Sequence, residues 1–463
     1  MRTAELLWAP WPYRAGFCIT DDTDAATLAS VRAVYDVLAA LGIRVSKTVW
    51  AFKPTEPCGI PALPDSIQRG ITCEDPDYLA YCVSLRERGF EICLHGASAG
   101  NNRRERTATG LEFLERHFGG AGTWICHAKN AENIYWHEKV APRGPARWLL
   151  APASRYQCSG EDPASPYFWG DLCRERVEHI RLFRTRNINT LADNPSMPYH
   201  DPEKPFVRSW FSATKRSFRD CTSPEALAGL VAERGLCVLY HYLHRYEEGA
   251  GTVKASFRQG AERLAAAREI WTDTTSAIMR RRRAMAGVFV GVRGDAAWLA
   301  NAGEVDATDV QVALPSAAAL AEPAEGVTLE SGVARIRRVP AGAMVRLPTR
   351  EPLAFPGAQV VRLDGEGRGE RPFGFGRVAL NAGVEPWARG GDEPISPGGC
   401  RAEFGAGFET LKPFSRPGRV ELHRLLAGQL GIIAHEVLFK RRSLDSRRFL
   451  GAQEILLEDQ DSW

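Results

Sequence analysis

From residue 15 to about 280, apolar runs and polar stretches alternate in a strand, loop, helix rhythm. Gly16–Ile19 is a short apolar run that leads into Asp21, Asp22 and Asp24. Leu28, Val31, Val34, Tyr35, Leu38 and Leu41 then recur at helical spacing over Ala25–Leu41, and Gly42 closes the pattern. Val45–Phe52 reads as a β-branched and aromatic strand. Asp77–Arg88 reads as a helix ended by Gly89, and Phe90–Leu94 as a strand that ends in His95. Glu105–Phe118 is the next helix, and Thr123–Cys126 a strand that delivers His127. A helix over Ser223–Arg234, a strand over Leu236–Tyr242 and one long Arg/Ala-rich helix over Gln259–Arg283 complete the region. This alternation predicts an α/β fold, a parallel sheet covered by helices, either open or closed into a barrel. Ionisable side chains gather at four strand ends: Asp21/Asp22, His95, His127 and His241/His244. Chemistry in β/α barrels sits at the C-terminal ends of the strands, so these four ends carry the functional expectation.

Near residue 285 the pattern changes to short strands separated by Gly, Asp, Asn and Pro turns, which predicts a small antiparallel β domain. The expected division is a barrel over 1–284, a β-sandwich-like domain over 285–365, and a Gly/Pro-rich segment over 366–463 that ends in an amphipathic helix at Val420–Arg442.

Composition narrows the possibilities. The chain has 463 residues, 44% hydrophobic and 25% charged, which excludes a mainly disordered protein. Lys+Arg 59 against Asp+Glu 56 leaves +3, a balance that makes no case for nucleic acid. The run Arg280–Arg283 suits a helix C-terminus. No apolar run reaches the length of a membrane helix, and Met1–Arg14 does not read as a secretion signal. The 11 cysteines are scattered singly with no C-x-x-C pair, so a reducing compartment, the cytoplasm, is expected. No glycine-rich nucleotide motif is present.

Three carboxylates within Asp21–Asp24 repel one another unless a cation sits among them, whether a divalent metal or a nearby Arg or Lys. The same residues also suit a helix N-terminus, and a helix comes next. His95 at a strand tip, before a Gly/Ala/Ser/Asn loop, has the placement of a metal ligand.

A strand ending in Thr20-Asp21-Asp22, a helix, and a later strand ending in His95 resemble the polysaccharide deacetylases (carbohydrate esterase family four) over about residues 10–280. The resemblance implies a distorted (β/α)7 barrel and a metal-dependent N-deacetylase. It implies Asp21 as base, Asp22 and His95 as metal ligands, and the strand that carries His241 and His244 as the source of the acid, with His241 slightly favoured. The family's second metal His falls four residues after the first, where this chain has Ala99. Either His127 supplies the missing imidazole from the adjacent strand, giving Asp22/His95/His127, or the metal has been lost. Two His and one Asp suit Zn²⁺ first, then Ni²⁺ or Co²⁺.

Asn130, Asn133 and Trp136, with Trp169 in the string Pro166–Asp171, are expected to bind a carbohydrate substrate, because rings stack on sugar faces and amides meet hydroxyls. Single aromatics of this kind also serve as packing anchors. Asn187–Asn189, Asn194–Asp201 and Trp210-Phe211 read as further polar-aromatic loops on one rim. The leading expectation is therefore a hydrolase that removes an acetyl group from an amino sugar or glycan precursor. A catalytically silent carbohydrate-binding barrel is one alternative. A metal-independent glycoside hydrolase pairing Asp21 or Asp22 with Glu91 or Asp171 is another.

Overall fold

The computed structural model describes residues 4–57, 70–127, 130–136, 139, 158–185, 187–194, 197–198, 204–286, 288–293, 296–301, 305–314, 326–341, 344–348 and 350, with short strands at 360–361, 368–373 and 376–381. Among described positions, residues 16–195 and 201–278 make one compact unit, and residues 1–15, 196–200 and 279–421 the other.

Strand β1 (Glu5–Leu7) belongs to the second unit. Seven strands then build the first: β2 (Ala15–Asp21), β3 (Ser46–Val49), β4 (Glu91–Leu94), β5 (Ala121–Trp124), β6 (Val177–Thr185), β7 (Trp210–Thr214) and β8 (Leu236–His241). Each pairs in parallel with the next, and β2 pairs with β8 to close the ring, so the unit is a distorted (β/α)7 barrel. The strands are largely buried because helices cover the outside while side chains fill the inside.

Helix α1 (Leu28–Ala40) is capped by Thr27, whose hydroxyl accepts from the Ser30 N–H at 3.2 Å while Ser30 Oγ accepts from the Thr27 N–H at 3.0 Å. The upstream aspartates are therefore not spent on capping. The helix at Pro76–Glu87 is capped by Asp75 and begins with proline, which suits the first turn.

Two strands escape the sequence pattern. In β6 the inward position is Arg181, and in β7 the pair Trp210-Phe211, expected in a rim loop, is buried strand. A polar inward face does not read as a core strand. The expected long helix over 259–283 is instead two helices, Ala255–Ala266 and Thr275–Ala286, separated by a strand at Ile270–Thr272 that joins β2. The break falls at Trp271–Thr275, which is rich in β-branched residues. There Thr274 Oγ1 accepts from the Ala277 N–H at 3.3 Å, as a capping side chain does.

The second unit holds two four-stranded sheets. One runs β1, Ala307–Ala313, Val333–Val339, Val327–Glu330, all antiparallel; the other runs Met344–Pro348, Ala296–Asn301, Val288–Arg293, Val360–Val361. The chain start thus supplies an edge strand to the small β-rich unit. A hairpin at Arg368–Phe373 and Gly376–Asn381 occupies part of the segment expected to be irregular, and the helix expected at 420–442 lies outside the described residues. Among the described residues no helix is long and apolar enough to cross a membrane.

Candidate metal centre

Strand alternation decides where the acidic cluster points. Thr20 and Asp22 face one side of β2, and Ile19 and Asp21 the other. The Asp21 carboxylate faces the helical layer, where it accepts from Tyr35 Oη on α1 at 2.7 Å and the Leu243 N–H at 2.7 Å, with Lys47 Nζ 3.4 Å away. Lys47 stands directly across from Asp21 in the β2–β3 register and is wholly buried. Burial pushes the Asp21 carboxyl up, against the pull of Lys47 and its hydrogen bonds. Asp21, the expected base, is therefore buried with Oδ1 engaged by the Leu243 N–H and Oδ2 by Tyr35 and Lys47.

Asp22 faces the barrel interior. Arg181 reaches it across the barrel with Nη1 to Oδ1 at 3.0 Å and Nη2 to Oδ2 at 3.0 Å, and the same Nη1 lies 3.3 Å from Thr20 Oγ1. Tyr240, level with Thr20 in the β2–β8 register, lies beneath the guanidinium at 3.9 Å from ring centroid to Cζ. Asp22 Oδ2 is 3.5 Å from His95 Nε2.

Asp24, past the strand end, completes a different set from the one expected. Asp24, His95 and His127 are buried, and one ligand atom from each lies within 4.8 Å of the others. Asp24 Oδ1 is 2.9 Å from His127 Nε2, and Oδ2 is 3.2 Å from His95 Nε2. Asp22, expected as the carboxylate ligand, is taken by Arg181, and Asp24 stands in that place. In the structure the neighbouring aspartates turn to different partners, Asp21 to Tyr35 and Lys47 and Asp22 to Arg181.

The outer nitrogens of both imidazoles are committed. His95 Nδ1 lies 2.9 Å from the Ile125 carbonyl, which only accepts, so Nδ1 carries a proton and Nε2 faces Asp24. His127 Nδ1 lies 3.0 Å from Asn130 Oδ1. Asn130 Nδ2 donates to Glu132 Oε1 at 2.9 Å and the Gly100 carbonyl at 2.8 Å, which leaves its carbonyl oxygen for His127. Asp24 Oδ2 is buried and accepts no hydrogen bond from the protein, which is the position of an oxygen waiting for a cation. Burial alone would raise the Asp24 carboxyl, but His127 and His95 hold it well below the usual carboxylate range. His127 rises despite its burial, because Asp24 faces it. Two imidazole nitrogens and a carboxylate oxygen, oriented by outer hydrogen bonds, form a donor set that fits Zn²⁺, Ni²⁺ or Co²⁺. Trp50 covers the pair, with Nε1 donating to the His95 carbonyl at 3.0 Å and its ring edge-on to His127 at 5.6 Å.

The remaining expected residues fall elsewhere. His241 shares a face with Asp21 and meets the Tyr246 hydroxyl. His244 sits in the turn after β8 with Nδ1 buried and without a hydrogen-bond partner. Burial and the neighbouring Arg245 push both down to about 3. Asn130 and Asn133, expected to meet sugar, are buried; Asn133 Nδ2 donates to the His127 carbonyl at 2.6 Å, so both amides hold the His127 loop. Trp169 is fully buried, donates to the Glu132 carbonyl at 2.6 Å and packs on Trp124 at 4.4 Å. Trp136 is half-buried. Ala99 is buried without any ligating atom. Glu91 is bound to Ser46 at the opening of β3, and Asp171 is paired with Arg104 at 2.7 Å, so neither forms a catalytic pair with Asp21 or Asp22.

No family model matches the chain, and no curated protein matches it. Among solved structures, one described as the crystal structure of Puue allantoinase is similar, with a TM-score of 0.34 and 11% identity over 58% of this chain and 91% of that chain. A likeness so slight carries no argument; the barrel rests on the strand order and the candidate metal centre on its own geometry.

Proposed function

We propose that the protein is a metal-dependent hydrolase of carbon–nitrogen bonds, acting on an N-acetylated amino sugar or glycan precursor. The observation that carries the hydrolase reading is the convergence of Asp24, His95 and His127 beside a second, Arg-bound carboxylate, Asp22. The sugar amide as substrate rests on the resemblance of the β2 and β4 motifs to polysaccharide deacetylases. Asp24, His95 and His127 would hold a divalent metal, which would supply Lewis-acid chemistry there.

The rest is done by side chains. Asp22, fixed by Arg181 with Oδ2 turned toward His95, takes a proton from the attacking water as its oxygen bonds to the carbonyl carbon. The same carboxyl then gives that proton to the departing nitrogen as the carbon–nitrogen bond breaks, leaving acetate and an amine. His241 and His244 are held neutral near neutral pH and do not serve as resting proton donors.

Acetate release from N-acetylglucosamine oligomers by the full chain, with and without added Zn²⁺, tests the reading. Zinc-dependent acetate release that disappears in Asp24→Ala is expected. Failure to bind any transition metal after supplementation would overturn the hydrolase reading. Metal-dependent cleavage of simple amides with no action on sugars would overturn the substrate.

A further inference from the structure

His127 does not come from a strand. It lies past the end of β5, in a loop whose backbone has no ladder to hold it. A ligand on such a loop has to be positioned by other groups, and a single carboxylate is central to them. Glu132 is buried to 1% exposure. Its Oε1 accepts from Asn130 Nδ2 at 2.9 Å and Asn102 Nδ2 at 2.7 Å, and its Oε2 from the Asn102 N–H at 3.0 Å. Asn102 is in turn anchored by Ser98 Oγ, which donates to its Oδ1 at 2.7 Å. Glu132 thus stitches the loop after β4 to the loop after β5, and no basic side chain is paired with it among the described residues. Its charge is answered by amide donors, and one of those amides is the acceptor of His127 Nδ1–H.

We infer that Glu132 is a positioning residue for the metal centre, acting on His127 through Asn130 to set its affinity for the ion. This rests on the metal reading above. A carboxylate behind a ligating histidine orients the ring and makes the inner nitrogen a stronger donor. Here an amide is interposed: the anion polarises the Asn130 side chain, whose carbonyl oxygen becomes the better acceptor for Nδ1–H, so Nε2 gains electron density toward the metal.

The test uses the full chain and Zn²⁺ alone, in competition with a chromophoric chelator, so no substrate is needed. Glu132→Gln and Asn130→Ser are each expected to raise the zinc dissociation constant about 10- to 100-fold. The double variant Asn130→Asp with Glu132→Gln returns a carboxylate to His127 directly and is expected to recover most of that loss. A merely structural role would lower the melting temperature of the metal-free protein without changing affinity in the folded fraction. Zinc affinities of both single variants within about threefold of the parent would overturn the inference while leaving the metal reading intact. A parent chain that binds no zinc overturns both. Should the variants fail to fold, nitrogen-15 spectra of the zinc-loaded parent decide: His127 ligated through Nε2, with a slowly exchanging Nδ1 proton, is required, and ligation through Nδ1 overturns it.

Discussion

Asp22, just past the end of β2, and Arg181 on β6, a strand that is not a neighbour of β2 in the barrel, meet through two parallel hydrogen bonds of 3.0 Å each. Their fork-to-fork geometry is specific to guanidinium and carboxylate, and it holds Asp22 in one orientation next to the paired imidazoles. Three carboxylates within four residues are tolerable because each has its own partner: Lys47 and Tyr35 for Asp21, Arg181 for Asp22, and His95 with His127 for Asp24. This separation of roles can be tested residue by residue.

Metal content separates the two inner aspartates. Asp24→Ala is expected to lose the ion, and Asp22→Asn to keep it while losing hydrolysis. Elemental analysis of the purified variants reads this directly; metal retained in the first and lost in the second would reverse the assignment.

Arg181→Lys keeps a positive charge but not the fork. A lysine cannot hold both carboxylate oxygens in plane, so Asp22 swings from its working position. Misplacement of a reacting group by about an ångström costs on the order of 100-fold in rate, and kcat should fall by that order with metal content unchanged. Wild-type kcat in this variant would remove Arg181 from the mechanism.

The buried pair on the outer face of β2 is a matter of stability. Lys47→Met leaves Asp21 buried without its cation, which is expected to cost about 3–5 kcal/mol in chemical denaturation. Adding Asp21→Asn should recover much of that, since an apolar or neutral pair avoids the uncompensated charge. Additive losses in the double variant would show that the two residues do not act as a pair.

Stability should also fall with acid through His241 and His244. Both are held at about 3, below the unfolded value of 6.5, so between those limits the unfolded chain binds more protons than the folded one. Their contribution is fully present above pH 6.5 and is lost as pH falls toward 3. Each adds a slope of at most about 1.4 kcal/mol per pH unit. Comparison of parent and His241→Phe by urea unfolding at pH 7 and pH 5 isolates one of them. The acid-induced loss should be smaller in the variant, and an equal loss in both would contradict the burial argument.

Much of the barrel was readable in the chain. Ala25–Leu41, with its apolar positions at helical spacing, maps onto α1, and the strands that end at His95 and at His241 appear within a residue or two of their expected bounds. Such elements bury one stripe or a whole apolar run, which local composition records. Strand β6 was not readable, because a residue such as Arg181 is buried for a partner 159 positions away and leaves no local trace. Asn130 is polar and reads as a surface residue, yet it is buried behind the His127 loop, and Trp169 is buried as a packing anchor.

The amino-acid sequence by itself determined which kinds of side chain stand at the strand ends, since alternating apolar periods mark where each strand stops and its loop begins. Which carboxylate joins the imidazoles was decided only by tertiary structure. The turn after β2 brings Asp24 back over the barrel mouth while Arg181 claims Asp22. Coordination and ion pairing depend on distances between segments that meet only when the ring of strands closes.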